Sequence, residues 1–121
     1  MVTMLDDVAL SHFQRICVDE LNHLAAARGA AIDRVEASGT TELYVVVELL
    51  MGSAPKITAW IYADEGMLTS GERSLYFEKP DFANGKDLRD AFLSAIAALL
   101  QGKEPDQKGS SRINLFVGRS L

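Results

Sequence analysis

The chain has 121 residues, 48% hydrophobic and 24% charged, with twelve Lys and Arg against seventeen Asp and Glu and a formal charge of −5. This is long enough for a single domain with its own core, spanning residues 1–121, and the composition is that of a folded globule. The pI near 4.9 and the scattered basic residues exclude the basic run that releases counterions from a nucleic acid, so no direct contact with nucleic-acid phosphates is expected.

The single cysteine cannot close an internal disulfide, which points to a reducing compartment. The N-terminus MVTMLDDVAL is acidic where a secretory signal is basic, and LYVVV and AIAALL are far too short to cross a bilayer. A cytoplasmic protein with no membrane partner is expected.

In chain order, Thr3 with Asp6 gives a weak capping-box signal and Gly29 a stop, with a long helix of roughly 25 residues between them. AIDRVEA reads as a weak strand and ELYVVVELL as the strongest one, with three successive valines. After the MGSAPK turn comes the strand KITAWIYA. DEGMLTSG reads as an irregular turn or bulged loop, and ERSLYFE as a further strand that Lys79-Pro80 ends, because proline cannot continue a ladder. Asn84 is the expected N-cap of a second helix from about Lys86 to Gln101, with Gly102 beyond it. KEPDQKGSS is a polar loop and RINLFVG a short C-terminal strand. The expected fold is α+β: a long N-terminal helix, a four-stranded antiparallel meander, a second helix and the short C-terminal strand, with both helices packed on one face of the sheet.

The reactive side chains gather in CVDELNH, residues 17–23. At about 100° per residue, Cys17 falls with Leu10, Phe13, Leu21 and Leu24 on the apolar stripe, while His12, Asp19 and His23 lie on the polar flank. Cys17 and His23 therefore do not pair as nucleophile and base, and an inert core thiol is expected. Glu20 and His23 have the spacing of a di-metal carboxylate motif, but the motif occurs once and a β-rich chain lacks the four helices such a site requires. Asp64 and Glu65 form an acidic pair before Gly66, too few oxygen ligands for a calcium loop. No phosphate-binding loop, nucleophile elbow or zinc-protease motif occurs. Neither a catalytic residue, a metal nor a cofactor is expected.

Alternation sorts the strands into two faces. Leu43, Val45, Val47, Leu49, Ile57, Ala59, Ile61, Ala63, Leu75 and Phe77 form an aliphatic and aromatic core face, which Ile113, Leu115 and Val117 can join. The opposite face carries Tyr44, Val46, Glu48, Leu50, Thr58, Trp60, Tyr62, Ser74, Tyr76 and Glu78. It holds the only tryptophan and all three tyrosines, residues that combine apolar area with a polar tip and are enriched at interfaces. Pairing about MGSAPK places Trp60 near Glu48 and Tyr62 near Val46. Either residues 64–71 or the C-terminal segment can fold back over this face.

The expected function is that of a non-enzymatic protein–protein interaction module, binding a partner or itself as a homodimer through Tyr44, Val46, Glu48, Trp60, Tyr62 and Tyr76. Small acidic inhibitors, immunity proteins and chaperones or adaptors are of this broad type, and the sequence alone assigns no family. The alternative is a small-molecule-binding or enzymatic fold whose cleft surrounds Glu48, Tyr44, Trp60 and Tyr62, with Glu48 as acid or base.

Overall fold

The computed structural model describes residues 9–39 and 42–103. Helix α1, His12–Arg28, begins where Ser11 closes a capping box with Gln14: the Ser11 hydroxyl accepts from the Gln14 N–H, and the Gln14 side chain accepts from the Ser11 N–H. Two of the orphan N–H groups of the first turn are thereby satisfied. The helix is 17 residues long, shorter than the sequence periodicity suggested, because Ala9 and Leu10 are not helical. The expected start at Thr3 and Asp6 lies outside the described residues. At the other end Gly29 adopts φ 73°, and the Ala30 N–H returns to the Ala25 carbonyl at 2.9 Å, a left-handed stop that glycine accepts without a Cβ penalty.

Five strands follow: β1 Ala31–Ser38, β2 Tyr44–Leu50, β3 Ile57–Ile61, β4 Gly66–Ser70 and β5 Arg73–Phe77. They pair in sequence order as one antiparallel meander. The meander therefore has one strand more than the four expected. The segment expected to be an irregular loop supplies β4, which lies between β3 and β5 and so does not fold back across either face. Its pattern is alternating once seen in place, with Gly66 and Leu68 buried and Met67 and Thr69 partly exposed. Tight turns on both sides bring it into register: the Tyr62 N–H meets the Glu65 carbonyl at 2.8 Å, and Gly71 turns at φ 63°.

Between β2 and β3 the register is two residues from the one expected. Val46 opposes Trp60, and Glu48 opposes Thr58. The turn is centred one residue earlier than expected, with Gly52 at φ 56° and the Ala54 N–H bonded to the Met51 carbonyl. A slip of two keeps every side chain on its own face, whereas a slip of one would exchange the faces.

After β5 a short 3-10 turn, Lys79–Asp81, carries Pro80. Helix α2, Gly85–Leu100, follows from Asn84, whose side chain accepts from the Asp87 N–H. One buried cluster joins Cys17, Leu21 and Ala25 of α1 and Leu88, Phe92 and Ile96 of α2 with Val45, Val47, Ala59, Ile61, Leu68, Leu75 and Phe77. The strand pairing puts those seven sheet residues on one face. Phe92 is central to it: its ring lies 5.3 Å from Phe77 and 6.3 Å from Phe13, centroid to centroid. The expected strand RINLFVG, with Ile113, Leu115 and Val117, lies outside the described residues. Among the described residues no helix is long and apolar enough to cross a membrane.

Candidate functional site

The face opposite that cluster is ordered by the strand register. One row crosses all five strands: Glu36 opposes Val46, Val46 opposes Trp60, Trp60 opposes Met67, and Met67 opposes Tyr76. The next row runs Arg34, Glu48, Thr58, Thr69 and Ser74. Beyond the first row, at the start of β2 and just past β3, Tyr44 and Tyr62 meet edge to face with ring centroids 5.4 Å apart. All six residues singled out from the sequence therefore share this face, in two adjoining rows and one aromatic pair. Met67 is a seventh member. It was not visible in the sequence because its strand was not, and the signal that reveals it is the alternation Gly66-Met67-Leu68-Thr69.

Packing along the rows is close. Val46 is only 4% exposed and Thr58 8%, although Val46 is not part of the core cluster. Trp60, Met67, Tyr44, Tyr62 and Tyr76 are all partly exposed. Cross-strand aromatic and aliphatic pairs of this kind each add a few tenths to about 1 kcal/mol to the sheet. Burial holds the Tyr62 phenol above the ordinary tyrosine range, and the neighbouring Tyr44, Glu42 and Tyr76 push in the same direction.

Glu48 sits at the edge of the aromatic row between two cations. Its Oε2 lies 3.2 Å from Arg34 Nη2 and its Oε1 3.2 Å from Lys56 Nζ. Arg34 also meets Glu36 at 3.2 Å and Lys56 meets Asp33 at 3.9 Å, so signs alternate along a five-residue chain. A β-bulge makes this possible. The register of β1 shifts between Ile32 and Arg34, so Asp33 is the extra residue and Arg34 is delivered opposite Glu48. Without the bulge Asp33 would face Glu48, and two carboxylates would repel.

The other candidates resolve into structure. Cys17 is fully buried. Burial pushes its thiol up to about 12, Glu20 adds to the rise, and Arg89 partly offsets it. His12, Asp19, Glu20 and His23 are exposed. Asp64 and Glu65 both serve Lys79: Asp64 Oδ2 accepts from its ammonium at 2.8 Å and Glu65 Oε2 from its backbone N–H at 2.7 Å. Those contacts, led by the hydrogen bond to Asp64, raise the lysine above its usual range. They tie the β3–β4 turn to the end of β5. Among the described residues no group of three or more His, Cys, Asp or Glu is placed to hold a metal ion. Near the C-terminal end of α2 a shallow hollow of about 230 Å³ is lined by Ala54, Pro55, Ser70, Arg73, Leu99, Gly102 and Lys103, away from the aromatic rows.

The fold and face define an α+β protein whose antiparallel meander carries an apolar core on one side and an aromatic row on the other. Comparison with protein-family models, with curated proteins and with solved structures gives no match.

Proposed function

We propose that this protein is a non-enzymatic interaction module, with both helices on one face of the sheet and a protein partner, or a second copy of the chain, on the other. The observation that carries this reading is the continuous row Val46, Trp60, Met67 and Tyr76 across four strands, flanked by the Tyr44–Tyr62 pair. A sheet face that meets only water is ordinarily lined with Lys, Glu and Thr. Here the charges are confined to the rim, where Arg34, Glu36, Glu48 and Lys56 largely neutralise one another. An apolar centre with a polar rim is the anatomy of a protein–protein contact. The bracket around Glu48 also weighs against the enzymatic alternative, since both of its oxygens are engaged by Arg34 and Lys56 and an acid or base needs one within reach of the substrate.

The test is the solution mass of the purified chain by light scattering, combined with quenching of Trp60 fluorescence by acrylamide. A dimer that Trp60→Glu converts to a folded monomer supports self-association through this face. A monomer whose tryptophan is readily quenched supports a face awaiting a different protein. A monomer with a shielded tryptophan overturns the proposal, because the face is then already covered. A dimer untouched by Trp60→Glu overturns it as well, by placing the contact elsewhere.

A further inference from the structure

We draw no further inference here: the strongest candidate, the aromatic face of the sheet around Trp60, Met67 and Tyr76, belongs to the site already described, and nothing in the structure shows what covers it.

Discussion

The Gln14 side-chain amide donates to the Ile61 carbonyl at 3.0 Å across 47 positions of sequence. The same nitrogen donates to the Leu43 carbonyl at 3.1 Å, while Oε1 accepts from the Ser11 N–H at 2.9 Å. The Ser11 hydroxyl donates to the Ala63 carbonyl at 2.6 Å. A helix cap thus doubles as the clasp that holds α1 to the chain on either side of the aromatic pair, at the start of β2 and the end of β3. Gln14 is only 2% exposed, and a buried amide is tolerated because its donors and acceptor are used.

Gln14→Leu keeps the volume and strands two carbonyls and one N–H, so a loss of about 2–4 kcal/mol is expected in urea denaturation at neutral pH. Gln14→Glu should cost more at neutral pH, since it turns a carboxylate toward the same two carbonyls. That carboxyl would have a folded-state pKa above its unfolded value of about 4.3. Below the unfolded value the protonated acid supplies one donor and the deficit is smallest. The deficit then grows as pH rises and levels off above the folded-state pKa. Denaturation midpoints of the two variants at pH 4 and pH 7 check both statements.

Gly66 is fixed by contact rather than by backbone conformation. A Cβ at this position would lie 2.7 Å from Phe92 Cε1 and 2.8 Å from its Cζ, closer than carbon atoms approach. Gly66→Ala should therefore destabilise by about 1–3 kcal/mol through overpacking. Phe92 is fully buried between Phe13 and Phe77 and has little room to retreat. Phe92→Leu should cost less in the Gly66→Ala background than in the parent, and a double-mutant cycle measures that coupling.

The Cys17 thiol should not react with a disulfide reagent while the protein is folded. Its pKa lies near 12 in the folded state against about 8.5 for a free thiol, so the unfolded chain loses this proton first. Unfolding therefore gains a driving force as pH rises above the unfolded value, and the contribution of the buried thiol to stability is lost between roughly pH 9 and 12. Reaction kinetics should follow global unfolding, and Cys17→Ala should flatten that part of the stability–pH curve.

The charge chain at the rim should matter little for stability. Arg34 and Lys56 have side chains 43% and 45% exposed, and pairs in such surroundings give about 0–1 kcal/mol. Glu48→Gln is expected to fall within that range and to respond weakly to salt. A loss well above 1 kcal/mol would mean that Glu48, whose side chain is 15% exposed, holds the bulge in place.

Where an element is announced by its own residues, the chain can be read directly. The valines of β2, the Asn84 cap and the Gly29 stop all act locally, and each corresponds to an observed boundary. The partition into an apolar and an aromatic face follows from alternation alone, and it survives the two-residue register difference because strand period is two. What the sequence conceals depends on contacts distant in the chain. Strand β4 begins with a glycine whose requirement comes from Phe92, 26 positions onward by the sequence numbering. The S-x-x-Q spacing of Ser11 and Gln14 yields to Thr3 and Asp6 in the sequence reading, because the apolar residues upstream continue the helical stripe and hide the boundary. The Asp33 bulge has no local signature, since only Glu48 across the ladder gives it a purpose.

The aromatic face contains two kinds of residue, and substitutions should separate them. Val46 is 4% exposed and is flanked across the ladder by Glu36 and Trp60. A charge placed there is buried without a partner, so Val46→Glu should cost about 3 kcal/mol or more and can unfold a domain of ordinary stability. Trp60 is partly exposed, and a glutamate in its place can turn its carboxylate to solvent. The expected loss for the monomer is about 1–2 kcal/mol, chiefly the cross-strand packing against Val46 and Met67. Far-ultraviolet circular dichroism and thermal melts of the two variants measure the contrast. A Trp60→Glu protein that stays folded with only that modest loss and no longer binds a partner assigns the residue to the interface. One that collapses as Val46→Glu does places Trp60 in the architecture of the sheet, where its role is to hold the strands together.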